Sequence, residues 1–254
     1  GTSSILSVAA GQVVSFAGDV TGSGDLDKAG AGSLSLGGAS AGYTGNFTIS
    51  AGTLELTAAN AFANAASLTQ TGGRLLLNPT GVTEIPLPDL SGENGEVEVG
   101  SGITAEIGGP GNQNYGGRIR GAGGMRKQGN GRFVLTGDND YTGPTDVNQG
   151  RLIVNGRLSG TSRVDVRSGA ALGGTGTIDG FTAIEAGGTH APGGSPGLQT
   201  FTAGLDYGSS AVFEWELSAN TAQTGDRGTL FDAVDVTGGN LSIDSAAVFN
   251  LVFD

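Results

Sequence analysis

The chain has 254 residues, including 50 glycines, and a formal charge of -12 from 12 basic and 24 acidic residues. This acidic balance argues against binding to nucleic acid or anionic lipid, because both require a basic surface. The chain contains no cysteine, which excludes disulfides, cysteine-based zinc sites and thiol nucleophiles. No stretch approaches 18 consecutive apolar residues, so no membrane helix is predicted.

A short unit recurs along the chain: an apolar residue, two further residues, a glycine and a second apolar run. The interval is 19 residues from Ile49 to Leu68 and from Val147 to Val166, and 38 residues (twice 19) from Leu205 to Ile243. A period near 20 indicates a stacked repeat architecture. The units lie at 8–11, 49–52, 68–72, 99–102, 147–150, 166–169 and 184–187.

Apolar residues alternate within these units, as in TLEL at 53–56 and VFEWEL at 212–217, which predicts short strands. The best helical candidate, AANAFANAASL at 58–68, is weak because of its Asn and Ser residues. Short strands, glycine turns and this period together predict an all-β fold. We expect a β-solenoid of about 11–13 rungs, on the order of 60 Å long at the usual strand spacing.

A longer unit is written twice. Residues 28–56 and 127–154 share a Lys, G-x-G, two apolar residues, a polar turn, Y-T-G and a final alternating run. The second copy resembles the autotransporter-associated β-strand repeat, G-x-G-x-L-x-L-x-G-x-N-x-Y-T-G-x-T-x-V-x-x-G-x-L-x-V. The residues that fill its slots are Gly129, Gly131, Phe133, Leu135, Gly137, Asn139, Tyr141, Thr142, Gly143, Thr145, Val147, Gly150, Leu152 and Val154.

The first copy keeps most of this pattern, with Gly30, Gly32, Leu34, Leu36, Tyr43, Thr44, Gly45, Ile49, Gly52, Leu54 and Leu56. The stretch after the second copy, with A-P-G-x-S-P-G at 191–197, is similar to the segment that follows the repeat in this family. The resemblance implies a right-handed parallel β-helix. It also implies export across the bacterial outer membrane as an autotransporter passenger or as part of a large surface protein.

We interpret residues 1–254 as a single β-helix segment with repeat copies at about 26–56 and 125–154. Residues 159–254 are expected to form C-terminal rungs that are truncated, because FNLVFD stops within a strand. Charged residues are few, as expected where identical positions on adjacent rungs lie close and like charges there would repel.

Two carboxylate pairs could suit a glycosidase, because residues two apart on a strand place their Cα atoms about 6.6 Å apart. These pairs are Glu214 with Glu216 and Glu96 with Glu98. An enzyme groove needs convergent groups from several rungs, so we interpret both pairs as outward-facing. In VFEWEL, Phe213, Trp215 and Leu217 are then the core face.

His190 is the single histidine and stands where the family usually has an apolar residue. Without a nearby Ser-Asp pattern it is not identifiable as a general base, and we interpret it as a turn residue beside Pro192. Asp138 and Asp140 could offer carboxylates to calcium, but capping of turns by Asp is the favoured interpretation. GGTGTID at 173–179 only approximates a calcium β-roll motif, because its Asp falls one place late.

No catalytic, cofactor-binding or metal-binding residue is therefore assigned, and no cofactor is expected. We predict a non-enzymatic stalk or display segment at the bacterial cell surface. The expected partners are neighbouring rungs or further copies of the protein. The alternative functions are an adhesin for glycan or host protein and, less favoured, a polysaccharide-acting enzyme; no nucleic acid or direct membrane insertion is expected.

Overall fold

The computed structural model describes residues 3–194, 196–219 and 224–253, and its only helical element there is one 3-10 turn at Thr224–Asp226. Every pairing between its named strands is parallel. Strands that are neighbours in a sheet are not neighbours in sequence, so the chain winds as a coil. The predicted all-β, parallel β-solenoid is confirmed.

The strands are short and follow one another closely. In the first half they are β1 (Ser4–Ser7), β2 (Val13–Phe16), β3 (Leu26–Ala29), β4 (Ser33–Leu36), β5 (Asn46–Ile49), β6 (Thr53–Leu56), β7 (Ser67–Gln70), β8 (Arg74–Leu77), β9 (Glu84–Pro86), β10 (Leu90–Ser91), β11 (Glu96–Val99), β12 (Thr104–Ile107), β13 (Gln113–Tyr115), β14 (Arg118–Gly121) and β15 (Gly124–Lys127). In the second half they are β16 (Arg132–Leu135), β17 (Asp138–Asn139), β18 (Thr145–Val147), β19 (Arg151–Val154), β20 (Arg157–Leu158), β21 (Arg163–Val166), β22 (Ala171–Gly174), β23 (Thr177–Ile178), β24 (Phe181–Ile184), β25 (Thr189–Pro192), β26 (Leu198–Phe201), β27 (Leu205–Tyr207), β28 (Val212–Leu217), β29 (Ala233–Val236), β30 (Leu241–Ile243) and β31 (Val248–Phe253).

From β7 onward each full coil places strands on three sides, whereas the first three coils place strands on two. Side I carries β1-β3-β5-β7-β10 and continues as β13-β16-β19-β22-β25-β28-β31, the two sheets being joined by a Gly92–Tyr115 bridge. Side II carries β2-β4-β6-β8-β11-β14 and continues as β17-β20-β23-β26-β29, with β14 in contact with β17. Side III carries β9-β12-β15-β18-β21-β24-β27-β30.

The coil has a step of about 20 residues in most of the described chain. Leu26 pairs with Phe47, Phe133 with Leu152 and His190 with Phe213, which are steps of 21, 19 and 23 residues. The described strands of side I form twelve layers, five in the first sheet and seven in the second. The solenoid makes about ten turns.

The last step is much longer. Tyr207 pairs directly with Ile243, 36 residues later, because the chain leaves the coil between β28 and β29 before it returns. The interpretation of the 38-residue interval from Leu205 to Ile243 as two rungs is therefore wrong. The interval is one rung plus an excursion, which a count of residues cannot distinguish from two rungs.

The core is a continuous apolar column along the axis. Alternate strand positions point inward, and on side II the inward-facing leucines of β4, β6 and β8 stack directly on one another in register. All are 0–1% exposed, so each aliphatic side chain contributes roughly 1.5–3 kcal/mol through burial. The stacked residues are Leu34, Leu54 and Leu75 in one row and Leu36, Leu56 and Leu77 in the next.

Gly52 and Gly150 occupy equivalent corners in the two repeat copies. Both have positive φ, +68° and +64°. A Cβ at Gly52 would lie 2.3 Å from the Gly32 carbonyl oxygen, and one at Gly150 would lie 2.4 Å from that of Gly131. Glycine is required there both by backbone conformation and by the close approach of the preceding coil.

The candidate helix at 58–68 does not form. Residues 59–64 form turns, and Ser67 already belongs to β7. Phe62 lies inside the coil, 5.5 Å from Tyr43 and 4.5 Å from Phe47 between ring centroids. The apolar residues of this segment therefore fill the interior from a turn, which a weak helical stripe does not reveal.

Candidate functional site

The repeat copies bury their lysines, and these corners are the first candidate functional feature. Lys28 ends at an ammonium that donates to the carbonyls of Ala29 (3.1 Å), Gly30 (3.0 Å) and Ala51 (2.9 Å). The Lys28 side chain is 0% exposed. Two of these carbonyls lie at its own corner and the third at the corner of the next coil, so the ammonium connects consecutive coils.

Lys127 repeats this arrangement in the second copy. Its ammonium donates to the carbonyls of Gln128 (2.6 Å), Gly129 (2.7 Å) and Gln149 (3.3 Å), and its side chain is also fully buried. Burial lowers the pKa of Lys28 and lowers that of Lys127 to about 8, because desolvation disfavours the ammonium. Lys28 lies in β3 on side I, but Lys127 lies in β15 on side III. The repeat therefore builds the same corner at different positions around the axis.

A second pair of equivalent groups follows each lysine. The Ser40 hydroxyl accepts a hydrogen bond from the Val20 backbone N–H, and the Asn139 carbonyl oxygen accepts one from Ile119, both at 2.9 Å. Asn139 also donates to the Gly137 carbonyl at 2.9 Å. Both side chains are fully buried and satisfy a backbone donor of the preceding coil.

The repeat tyrosines point inward as well. The Tyr43 hydroxyl donates to the Asn46 carbonyl at 2.7 Å, whereas the Tyr141 hydroxyl bonds the Thr145 hydroxyl at 2.5 Å. Thr145 in turn bonds Thr161 at 3.0 Å. Burial raises the pKa of Tyr43 and of Tyr141 because the phenolate would be desolvated, so both hydroxyls stay protonated.

Glu96 and Glu98 face outward, and both are engaged by arginines of adjacent coils. Arg120 pairs with both carboxylates at 2.5 Å, and Arg74 pairs with Glu98 and, at 3.6 Å, with Glu96. This ladder crosses three layers of side II. Side III carries a comparable ladder, in which Arg126 pairs with Glu84 at 2.5 Å and Glu106 at 3.2 Å.

Glu214 and Glu216 lie in β28 opposite Asn250 and Val252 of β31. Phe213 faces inward and packs 5.5 Å from the His190 ring. Trp215 instead packs against Phe231 of the excursion, with ring centroids 6.0 Å apart. The predicted aromatic core face is therefore divided between the axis and the excursion.

His190 is not in a turn. It lies in β25, points inward and is 0% exposed, stacked between Leu172 and Phe213. Its Nδ1 is 2.6 Å from the Tyr207 hydroxyl, and its Nε2 is 2.9 Å from the Gln199 side-chain oxygen. The interior accepts an imidazole here because both ring nitrogens have partners, and burial lowers the His190 pKa to about 4.

Two of the carboxylates considered for calcium, Asp140 and Asp179, are paired with arginines. Arg118 donates to Asp140 at 2.8 Å and thereby lowers the Asp140 pKa. Asp179 of GGTGTID pairs with Arg157 at 2.7 Å and accepts from the Thr202 hydroxyl at 2.8 Å. Asp138 lies opposite Arg157 in the backbone register of strands β17 and β20, but the guanidinium of Arg157 pairs with Asp179. Within the described residues, no group of three His, Asp or Glu residues could hold a metal ion.

The A-P-G-x-S-P-G turn is held from two sides by residues that sequence reasoning missed. The Arg151 guanidinium donates to the carbonyls of Ala191 at 2.9 Å and Gly193 at 3.2 Å. The Asp232 carboxylate accepts from the backbone N–H groups of Gly197 and Glu216, each at 2.8 Å. Ser195 lies outside the described residues. Burial raises the Asp232 pKa to about 6.

The missed lysines did carry a sequence signal. Leu26 and Lys28 are two residues apart, as are Met125 and Lys127, so the strand period places each lysine on the inward face. The general rule that lysine is exposed opposes that placement. The shared position of Lys at the start of both copies is the observation that could have decided for the inward face.

Comparison with known proteins finds the same two segments that contain the lysine corners. Residues 26–56 and 125–154 each match the passenger-associated-transport-repeat family. The chain is 43% identical over 76 residues to the adhesin BmaC autotransporter of Brucella suis biovar 1 (strain 1330). It is 39% identical over 79 residues to an extracellular serine protease of Serratia marcescens.

Both likenesses are partial. The matched stretches are 30% and 31% of this chain, and they are 2% and 7% of those two proteins. The family match gives two copies of the repeat, and the structure places both within a fold of stacked coils. In the part of the chain that the structure describes, no helix is long and apolar enough to cross a membrane.

Proposed function

We propose that this chain is a non-enzymatic structural segment of a passenger in a bacterial exported cell-surface protein. Two repeat copies of a passenger-associated family support this function, as do partial likenesses to a protein named as an autotransporter adhesin and to one named as extracellular. In this role the segment forms a rod outside the cell and separates or displays other parts of the protein.

The equivalence of the Lys28 and Lys127 corners is the observation that carries the proposal. Two segments about a hundred residues apart use a rare arrangement, a fully buried ammonium with three carbonyls, to fix one coil on the next. The polar groups most often recruited for chemistry are thereby committed to the scaffold. The same is true of Glu96 and Glu98, which are paired with arginines.

The ends of the described coil support a larger rod. Ile5 and Val13 in the first coil are 66% and 69% exposed, and Phe249 and Phe253 in the last are 56% and 71% exposed. Unpaired strand edges and exposed apolar side chains at the ends of a coil favour pairing with another chain segment. We propose that further coils of the same protein cover both ends, and that the isolated chain associates end to end.

An export experiment tests the passenger function. The 254-residue chain is placed in the passenger position of a bacterial surface-display protein, and intact cells are labelled with antibody and treated with protease. Surface display of a protease-resistant rod is expected, and display should fall when Lys28 and Lys127 are both replaced by methionine. Normal folding in solution together with a failure to reach the surface would contradict the passenger role.

A turnover assay and sedimentation test the remaining parts of the proposal. Purified chain incubated with polyuronates, neutral glycans and peptide substrates should release no product. Any turnover that scales with the concentration of folded chain would contradict the non-enzymatic role. Sedimentation should show end-to-end oligomers, and a strictly monomeric folded chain would contradict the proposed pairing of ends.

A further inference from the structure

Arg132 differs from every other basic residue of the chain. Eight arginines pair with carboxylates, while Arg151 and the two lysines donate to backbone carbonyls. The Arg132 guanidinium has no partner among the described residues, and it is exposed on side I. In a chain with a net charge of -12, an unpaired cation is conspicuous. The eight paired arginines are Arg74, Arg118, Arg120, Arg126, Arg157, Arg163, Arg167 and Arg227.

Arg132 borders a groove of about 330 Å³ on the outer surface of side I. The floor is formed by Val134 and Ile153, which point outward from adjacent strands yet are only 7% and 5% exposed. This volume is at the lower end of the range for small-molecule sites, which are commonly apolar with a few placed polar groups. The residues that line the groove are Glu93, Asn114, Arg132, Val134, Thr136, Ile153, Asn155 and Gly194.

The polar groups of this groove are available to a ligand. Within the described chain, the side chains of Glu93, Asn114 and Thr136 make no hydrogen bond or ion pair. Asn155 accepts from the Thr175 backbone N–H at 3.2 Å, which leaves its amide N–H groups unused. Sides II and III are different, because their outward charges neutralise one another in ladders. Side I therefore combines a cation, two amides, a hydroxyl and a carboxylate around an aliphatic floor.

We propose that this groove binds an acidic saccharide whose carboxylate pairs with Arg132. A guanidinium matches a carboxylate in a bidentate geometry, while Asn114, Asn155 and Glu93 offer donors and acceptors for hydroxyls. Val134 and Ile153 provide apolar contact for the C–H face of a sugar ring. This site goes beyond the proposed scaffold function, which could hold without it.

A saccharide fits the groove better than an acidic peptide does. Extended peptides usually bind by adding a strand to a free sheet edge, where backbone hydrogen bonds supply the affinity. The groove lies on the face of side I, where β13, β16 and β19 are already paired in the sheet. Recognition here depends on side chains, which suits a ligand with many hydroxyls and one anionic group.

The test uses the whole chain and two matched probes. Trigalacturonate and its carboxyl-reduced, neutral counterpart are titrated at low salt, and binding is followed by calorimetry and by ligand-observed NMR. The acidic trisaccharide should bind, the neutral one should bind at least about tenfold more weakly, and Arg132→Gln should weaken the acidic ligand by a similar factor. Asn114→Ala should weaken both ligands.

Arg157→Gln is the matched control, because Arg157 is a similarly exposed arginine that pairs with Asp179 on another side. Circular dichroism and the melting temperature confirm that each variant is folded. Equal binding by Arg132→Gln and the unmodified chain, or no binding by folded chain, would overturn the proposal. Binding of a poly-glutamate peptide in place of the trisaccharide would overturn the ligand class. The export assay is independent of these outcomes.

Discussion

The two repeat copies differ in the sides they occupy and in their interior contacts, yet they form the same corner. Lys28 and Lys127 each bind three carbonyls, two at their own corner and one at the next coil. Copy one begins on side I, copy two on side III. What the repeat specifies is therefore a backbone corner and its link to the next coil, and the position around the axis is free to change.

The contacts between side chains are not shared in the same way. Behind Tyr43 the interior is aromatic, with Phe47 and Phe62 at its ring, whereas behind Tyr141 it is polar, with Thr145 bonded to Thr161. The bonds from lysine to backbone carbonyls are kept between the copies, whereas the tyrosine hydroxyl bonds a backbone carbonyl in copy one and a side chain in copy two. The interior can therefore exchange apolar for polar packing as long as each hydroxyl finds a partner.

His190 shows a second way of burying a polar group. The lysines enter the core as donors to carbonyls, whereas His190 enters as a neutral ring bonded to Tyr207 and Gln199. The first arrangement requires a corner, where carbonyls converge, and the second requires only two polar neighbours within the coil.

Replacing a buried lysine has the largest expected effect. Lys127→Met removes a fully buried ammonium and leaves three carbonyls without their donor, and we expect a loss of about 3–5 kcal/mol in the free energy of unfolding. Lys28→Met should cost less, because the first coils, with Val13 69% exposed, already lie at an open end. Urea unfolding followed by circular dichroism gives both values. If neither substitution lowered the free energy of unfolding, the lysines would not be what holds the corners.

The corner glycines should respond alike in both copies. Gly52→Ala and Gly150→Ala place a Cβ within about 2.5 Å of a carbonyl oxygen of the preceding coil and add strain at positive φ. Each should lower stability by about 2–3 kcal/mol. Gly169→Ala is the control, because its φ is +77° but no atom lies within 4 Å of the added Cβ. If Gly169→Ala lowered stability as much as the two corner variants do, the positive φ alone would explain the loss, without the contact with the preceding coil.

Acid should separate the histidine from the lysines. The His190 pKa is lowered to about 4 in the folded chain, below the ordinary value of 6.5, so its contribution is complete above pH 6.5 and is lost as pH falls through 4. Between pH 7 and 5 the loss is about 2 kcal/mol. The measurement is the stability difference between the unmodified chain and His190→Leu at each pH.

Using that difference removes the opposing effect of Asp232, whose raised pKa of about 6 favours the folded chain in acid. Lys127→Met should show no comparable change with pH in this window, because Lys127 is protonated throughout it. If the stability difference between the unmodified chain and His190→Leu did not vary with pH, His190 would take up its proton as easily in the folded chain as in the unfolded chain. The folded chain would then hold a charged imidazole in acid, against this prediction.

Removing the repeat hydroxyls should have the smallest effect. Tyr43→Phe and Tyr141→Phe each delete one buried hydrogen bond, to the Asn46 carbonyl and to the Thr145 hydroxyl. We expect about 1 kcal/mol for each. Tyr141→Phe should cost less, because Thr145 keeps Thr161 as a partner. Thermal melting of the two variants side by side measures the order, and the reverse order would show that the Thr145–Thr161 pair depends on the tyrosine.

The coil step, the short strands and the inward leucines could be predicted from the sequence, because they follow from two periods, two residues and about twenty. The excursion before Asp232 could not, since a 36-residue step resembles two regular ones. Lys28, Lys127 and His190 are fully buried, although lysine is usually exposed and histidine is usually only partly buried. Their placement depends on partners from other coils, which become neighbours only after the chain has folded. The same is true of Arg132, whose lack of a partner among the described residues is visible only in three dimensions.

Oxidative cross-linking tests most directly whether coils stack in this register, since the chain has no cysteine of its own. Ser33 and Thr53 are paired on adjacent coils of side II, and Arg74 lies one coil further. The double variant Ser33→Cys, Thr53→Cys should form an intramolecular disulfide, since adjacent strands are about 4.8 Å apart. Ser33→Cys, Arg74→Cys should not, at about twice that distance. Efficient cross-linking of the second pair, or none of the first, would contradict the stacked-coil fold.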